Sequence, residues 1–280
     1  MGRLLAAMET RSPTPNWQRS ITRPSLAMAA ALLGVAVVAG CGSSSKSSSN
    51  NQPAGGQTTA PASTRPASSS YNPKIDPAKF TNNITNPYFV AKPGTVRILK
   101  GTKDGVPQTH TTHITRKTRT IAGVKTLVIK DVVTNPDGVA EIAYDWYAQD
   151  QKGNVWYFGE STSDYAKGVV TTTKGSWETG VDGAKPGIVM PATPKPGPAF
   201  YQEFRPGVAE DKGKILGVNE RVPTPSRTYQ NAVRIRDTNP LDPTLVQNKW
   251  YVRGVGLVKS VRTGSSHTET SRLVSVRPER

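Results

Sequence analysis

Short runs of alternating hydrophobic and polar residues, separated by turn-forming residues, make up most of the chain from residue 71 onward. Alternation with a period of two is typical of β-strands, and no helical period is long enough to cover a parallel sheet. Asp104-Gly105 and the Asn-Pro-Asp-Gly sequence at 135–138 are strong signals for hairpin turns. The pattern predicts about eleven strands in an all-β fold, either one large curved antiparallel sheet or an open barrel.

Two segments of this region have a different pattern. The run 109–120 is polar and rich in threonine, which favours a strand at the edge of the sheet. The segment 180–199 is rich in glycine and proline and is predicted to be a long irregular loop. Both a lid beside a binding site and a packed cover over one end of a barrel are consistent with such a loop.

The first 40 residues have the pattern of an export signal. Arg19 and Arg23 precede an apolar run at 26–38, which is short for a permanent membrane span. The run ends in Val-Ala-Gly followed by Cys41, the one cysteine of the chain. This ending resembles the lipobox of bacterial lipoprotein signals. The resemblance implies lipidation of the Cys41 thiol, cleavage before Cys41, and anchoring to the outer face of the cell membrane.

A low-complexity segment follows the cysteine. Residues 42–70 are mostly Ser, Thr, Ala, Pro, Gly, Asn and Gln, and such a composition cannot bury enough apolar surface to offset its ordering entropy. The sequence therefore predicts a signal peptide at 1–40, a lipidated cysteine and disordered tether at 41–70, and one antiparallel β domain at 71–280. A single cysteine in an exported chain also excludes a disulfide framework.

Charge is unevenly distributed in a chain whose formal net charge is +16. The basic balance suits contact with anionic headgroups or wall polymers, and export argues against nucleic acid as the partner. Residues 131–182 are the exception, because nine acidic side chains stand there against three lysines. Aromatic residues are concentrated in the same stretch.

This acidic, aromatic centre is the predicted binding region. Strand alternation places Glu141, Asp145 and Tyr147 on one face and Tyr144 and Trp146 on the other. An aromatic wall with nearby carboxylates suits sugar rings or apolar ligands, although one aromatic row could equally be core and the acids simply solvated. The candidate ligand-binding residues are Asp145, Trp146, Tyr147, Trp156, Tyr157, Glu160, Trp177, Glu178 and Asp182.

Catalytic and metal-binding motifs are weak in this sequence. Asp145 and Glu160 could form the carboxylate pair of a glycoside hydrolase, which requires two acids flanking one bond. No Gly-x-Ser-x-Gly motif is present. His110 and His113 are three residues apart and so fall on opposite faces of a strand. The sequence therefore predicts no catalytic residue, no metal site and no cofactor.

The folded region also resembles a group of proteins. The segments at 144–160, 175–178 and 190–191, with the closing run Lys-Trp-Tyr-Val-Arg-Gly-Val-Gly-Leu-Val-Lys at 249–259, look like an uncharacterised group of bacterial lipoproteins built on a curved sheet. The resemblance implies one exported domain and no particular activity. The first prediction is a non-enzymatic binding domain for an apolar or glycan ligand or an envelope partner. A hydrolase of envelope polymers and a structural surface scaffold are the alternatives.

Overall fold

The computed structural model describes residues 71–265 and 267–279. The predicted signal peptide, Cys41 and the tether at 41–70 lie outside the described residues. Within the described part of the chain, no helix is long and apolar enough to cross a membrane. The one helical element there is a short 3-10 turn, Pro77–Lys79, which Asp76 caps by accepting a hydrogen bond from the backbone N–H of Ala78.

Sixteen strands account for most of the described chain, because alternating sequences separated by Gly and Pro turns form antiparallel hairpins. In chain order they are β1 (Phe80–Thr81), β2 (Thr95–Lys103), β3 (Val106–Ile121), β4 (Val124–Asn135), β5 (Gly138–Asp150), β6 (Val155–Ala166), β7 (Val169–Thr172), β8 (Trp177–Glu178), β9 (Lys185–Met190), β10 (Phe200–Tyr201), β11 (Glu203–Phe204), β12 (Lys212–Pro223), β13 (Thr228–Asn239), β14 (Asp242–Val252), β15 (Gly256–Thr263) and β16 (Thr268–Pro278).

The strands form one antiparallel sheet that is nearly closed into a barrel, which confirms the predicted all-β class. The sheet order runs β10-β12-β13-β14-β15-β16-β2-β3-β4-β5-β6-β9-β11. The C-terminal strand β16 pairs with β2, so the last strand of the chain lies next to the first long one. The other pairs of long neighbouring strands are joined by hairpins.

The two ends of the sheet meet at the segment 200–204. Its first half, β10, pairs with β12, and its second half, β11, pairs with β9. Gly187 of β9 allows this approach, since a Cβ there would lie 2.3 Å from the backbone carbon of Gln202. The predicted loop at 180–199 is therefore partly wrong, because 185–190 forms a strand of the barrel wall paired with β6.

The prediction of an edge strand at 109–120 is also wrong. Strand β3 pairs with β2 on one side and with β4 on the other, so it lies inside the sheet. The polar composition of β3 has another explanation than exposure at an edge. Gln108, His110 and Thr112 line the interior cavity of the barrel, where the lining is largely polar rather than an apolar core.

Apolar residues pack in several clusters on and inside the barrel. On the outer side of β3–β6, Trp146 and Phe158 pack with Val128 under Phe80 from the N-terminal segment. That segment then turns inward, and Tyr88 and Phe89 pack among the apolar side chains at one end of the barrel. This end is consequently closed, while the remainder of the interior is lined mostly by polar residues.

Candidate functional site

The interior of the barrel contains a cavity of about 820 Å³. Tyr88 and Phe89 lie at its closed end. At the opposite end it is lined by Lys103 and Asp104 of the β2–β3 hairpin and by Asp137 of the β4–β5 turn. Because Asp104 and Asp137 are exposed to solvent, the cavity opens at this hairpin end. A volume of this size is typical of sites for small ligands.

One wall of the cavity is acidic. Glu141 and Asp145 of β5 alternate with outward-facing residues and therefore point inward. Asp131 of β4 lines the same wall, and so does Asp164 of β6, which lies directly opposite Glu141 in the strand register. Antiparallel pairing thus brings carboxyl groups from three adjacent strands onto one surface. We call this surface the acidic wall and define it by Asp131, Glu141, Asp145, Glu160 and Asp164.

A bulge in β6 brings Glu160 onto this wall. Without it, strict alternation would place Glu160 on the same face as Trp156 and Phe158, which pack on the outside. The register shifts between the pairs Trp146–Gly159 and Tyr147–Tyr157, so one extra residue is inserted in β6. Gly159 adopts a φ of 138°, which glycine tolerates best. Glu160 consequently lies directly opposite Asp145, with both side chains at the cavity.

Tyrosines support the deep end of the acidic wall. The Tyr157 hydroxyl donates a hydrogen bond to Oδ1 of Asp145 at 2.5 Å. Its ring stacks on that of Tyr147, with centroids 4.8 Å apart and planes inclined by 14°. Trp177 meets Tyr157 edge-on at 5.3 Å, and its indole N–H donates to Oε2 of Glu203. These contacts fix the orientation of the Asp145 carboxyl group.

The opposite wall carries the cations of the cavity. Lys249 of β14 forms an ion pair with Asp237 of β13 at 2.8 Å. Arg97 of β2 donates hydrogen bonds to the backbone oxygens of Val90 and Val255, and Arg262 of β15 also lines the cavity. The cavity thus has an acidic side on β4–β6 and a basic side on β2, β14 and β15.

Burial shifts the protonation of the acidic wall. The side chain of Asp145 is buried, and this burial, with the neighbouring carboxyl groups of Asp131 and Glu160, raises its pKa well above the usual range. Burial and then the charge of Glu141 raise the pKa of Glu160 to about 7. The pKa of Glu141 is raised by burial and by Asp164. Near neutral pH the wall therefore holds protons that exposed carboxyl groups would have released.

These shifts predict that stability falls as pH rises. A carboxyl group whose pKa is higher in the folded state binds more protons there than in the unfolded chain, so raising the pH favours unfolding. For Glu160 the loss spans pH 4.5 to about 7 and amounts to roughly 2–3 kcal/mol. Urea unfolding at about pH 5 and pH 8 should show the higher midpoint at pH 5. Glu160→Gln should reduce this difference, and an unchanged difference would contradict the assignment.

A buried acceptor on the cavity surface lacks a donor. Gln108 is 9% exposed and lines the cavity, and its Oε1 accepts no hydrogen bond from any described residue. A buried acceptor left in this state is destabilising unless something else donates to it. The Oε1 of Gln108 is therefore available to accept a hydrogen bond from a donor inside the cavity.

The other sequence candidates lie outside the cavity. Trp146 and Trp156 belong to the outer apolar cluster under Phe80. Glu178 forms an ion pair with Arg119 at 2.6 Å, and Asp182 forms one with Arg205 at 2.8 Å. The structure therefore brings Asp145, Tyr147 and Glu160 together at the cavity, with Tyr157 and Trp177 behind them. It does not bring Trp146, Trp156, Glu178 or Asp182 to the same surface.

Several cavity residues were not among the sequence candidates. These residues lie on strands that are far apart in the chain. They are Arg97, Gln108, His110, Asp131, Lys249, Arg262 and Glu269. A partial signal exists, because the charged Lys249 directly precedes the aromatic pair Trp250-Tyr251 within a strand pattern. Sequence alternation alone does not say which face of such a strand is interior, and pairing of β16 with β2 was needed to bring these residues together.

The fold was compared with known proteins. No protein-family model matches the chain, and no curated protein matches it. One similar solved structure is a protein of Parabacteroides distasonis provisionally described as a lipoprotein, with 13% identity, a TM-score of 0.37, and coverage of 69% of this chain and 99% of that one. Another, from Bacteroides fragilis, is provisionally described as an exported protein with a YmcC-like fold, with 12% identity, a TM-score of 0.39, and coverage of 68% and 98%. Similarity at this level carries no argument about function.

Proposed function

We propose that this chain is a membrane-anchored extracytoplasmic lipoprotein whose barrel interior binds a small polar ligand carrying a positive charge. The observation that carries the proposal is the excess of carboxylates around the cavity. Eight aspartates and glutamates line it, against four lysines and arginines. One of those four, Lys249, is already paired with Asp237. A cationic group would offset the remaining negative charge.

The anchoring half of the proposal rests on the sequence. Arg19 and Arg23, the apolar run at 26–38 and the small residues before Cys41 agree with a lipoprotein signal at every position. The low-complexity tether at 42–70 separates the lipid from the barrel. Radiolabelled palmitate should enter the full chain in a bacterial host and should not enter the Cys41→Ser variant.

The polarity of the cavity favours a polar ligand over an apolar one. Apolar side chains such as Ile129 and Phe89 lie near the closed end, while charged and hydroxyl-bearing groups occupy most of the remaining lining. Burying an apolar ligand there would strip water from carboxyl groups without replacing their hydrogen bonds. A ligand with an amine or ammonium group and several hydroxyls, such as an amino sugar, would offset the negative charge of the cavity and also form hydrogen bonds with its polar lining.

Choline and its neutral analogue 3,3-dimethylbutanol provide a matched test of charge. The two have similar shapes, and the charge of choline does not change with pH. Calorimetric titration of the full chain at about pH 8, where the acidic wall is most ionised, should show binding of choline and at least roughly tenfold weaker binding of the alcohol, a difference of about 1.4 kcal/mol. Equal binding of the two compounds would refute a cationic site.

Variants locate the binding site within the molecule. Glu160→Gln removes one charge from the acidic wall and should weaken choline binding about tenfold, which corresponds to about 1.4 kcal/mol. Asp182→Asn is the matched control, because it also removes one acidic charge but lies on the surface beside Arg205. An equal effect of the two substitutions would indicate a response to net charge rather than binding at the cavity.

A carboxylate-pair hydrolase is a second candidate, and one observation favours it. Asp145 and Glu160 lie directly opposite each other at the cavity. Glycoside hydrolysis needs one carboxyl group protonated and the other ionised. Here burial raises the pKa of Glu160 to about 7 and that of Asp145 well above its usual range, so Glu160 becomes the ionised partner only above about pH 7. Binding is therefore the first choice, and release of reducing sugar from envelope glycans, abolished by Asp145→Asn, would favour the hydrolase.

A further inference from the structure

The outer surface of β12–β16 and β2 carries a second charged region, separate from the cavity. On these strands the outward-facing residues alternate with those that line the interior. Among the basic residues on this outer surface, six define what we call the basic wall: Lys100, Lys214, Arg234, Arg236, Lys259 and Arg272.

The strand register places several of these cations beside one another. Lys259 of β15 is directly opposite Arg272 of β16, and Arg272 is directly opposite Lys100 of β2. Lys214 and Arg236 are likewise opposite each other on β12 and β13. Residues opposite each other on adjacent strands are about 5 Å apart, and like charges in such positions destabilise a sheet. Burial and the charge of Arg272 lower the pKa of Lys259.

Little negative charge offsets the basic wall within the described strands. Glu220 faces outward, but it is engaged by the Nε of Arg234 at 2.8 Å and by the indole N–H of Trp250 at 2.7 Å. Asp237 is buried beside Lys249, and Glu269 lines the cavity. Glu220 therefore offsets Arg234, while Lys259 beside Arg272 and Lys214 beside Arg236 remain adjacent like charges.

The start of the folded region lies beside this surface. Tyr71 packs against Tyr201 with ring centroids 4.4 Å apart, and Tyr201 in turn contacts the Nζ of Lys212 on β12 at 4.5 Å. The tether at 42–70 therefore joins the barrel next to the first strand of the basic wall. Its 29 residues can extend at most about 100 Å, so a lipid on Cys41 would keep the barrel within that distance of the bilayer.

We infer that the basic wall docks on anionic phospholipid headgroups of the membrane that holds the anchor. Each lysine or arginine near an anionic membrane adds to the attraction between the protein and the headgroups. Docking of this side would leave the acidic wall of the cavity and the outward acids Asp150 and Glu178 away from the headgroups. This orientation is independent of which ligand the cavity binds.

Vesicle sedimentation tests the inference. The probe is the full chain with Cys41→Ser, which removes the lipid but retains the tether and all described residues. It is mixed with vesicles of phosphatidylcholine, with or without phosphatidylglycerol. Neutral vesicles measure any contribution of the apolar run at 26–38. The chain should bind the anionic vesicles at least about tenfold more tightly, and raised salt should abolish the difference.

A charge-matched pair of variants assigns the effect to one surface. The triple variant Lys100→Gln, Lys259→Gln and Arg272→Gln should lose at least about tenfold in affinity for anionic vesicles. The control, Lys117→Gln, Lys125→Gln and Lys195→Gln, removes the same charge from exposed positions elsewhere and should lose less than about threefold. Circular dichroism confirms that both variants fold. Equal losses, no preference for anionic vesicles, or a wild-type preference for a soluble polyanion over vesicles would overturn the inference.

Discussion

Lys249→Met is expected to lower the free energy of unfolding by about 3 kcal/mol or more. Lys249 is the partner of Asp237, whose side chain is 4% exposed, at 2.8 Å. Burial alone would lower the pKa of Lys249, but Asp237, Tyr251 and Asp211 reverse this effect and raise it. The lysine is therefore held in its charged form by neighbouring acids. Removing it leaves a buried carboxylate without its counter-ion, which urea unfolding followed by tryptophan fluorescence would measure.

The double variant Lys249→Met with Asp237→Leu is the control for this prediction. Replacing both members of a buried ion pair by apolar residues of similar volume is often close to neutral. The double variant should therefore recover most of the stability that the single variant loses. A single variant that costs less than about 1 kcal/mol, or a double variant that is no better than the single one, would show that the pair is not a buried unit.

Gly159→Ala is expected to have a comparably large effect, because Gly159 forms the bulge that brings Glu160 to the cavity. A Cβ at this position would lie 2.4 Å from the carbonyl oxygen of Trp177 and 2.9 Å from the Cα of Glu178. The backbone φ of 138° is unfavourable for alanine as well. We expect a loss of about 3 kcal/mol or more in the free energy of unfolding. Choline binding should weaken too, since Glu160 would no longer be held opposite Asp145.

Gly168→Ala separates the steric contact of the added Cβ from backbone strain as causes of the lost stability. Gly168 also has a positive φ, 79°, but no atom lies within 4 Å of the position of an added Cβ. Its substitution should therefore cost only about 1 kcal/mol, from backbone strain alone. Similar losses for Gly159→Ala and Gly168→Ala would mean that the close approach of β6 to Trp177 and Glu178 contributes nothing.

The hairpin pattern of the fold was predictable from the sequence. Alternation and turn residues such as Asp104-Gly105 identified most long strands, because local hairpins depend on local sequence. Closure of the barrel was not predictable in the same way. It depends on pairing between β16 and β2 and on the short segment at 200–204, both of which join residues distant in the chain. Periodicity carries no information about such pairings.

The candidate site was predictable only where strand alternation is regular. Alternation correctly placed Asp145 and Tyr147 on one face and Trp146 on the other, as the cavity and the outer cluster show. Alternation could not place Glu160, because the bulge at Gly159 changes the register. An isolated glycine within a strand is a known indication of a bulge. The basic side of the cavity was missed because its members come from β2, β14 and β15.

Proton release on binding is the decisive test of a cationic ligand at the acidic wall. If choline binds at the buried acidic wall, it favours the ionised carboxyl groups and must displace protons held by Glu160 and Asp145. Titration at about pH 6 in buffers of different ionisation enthalpy measures that release. The wild-type chain should release protons when it binds choline, and the Glu160→Gln variant should release fewer. Choline binding without proton release would contradict this prediction.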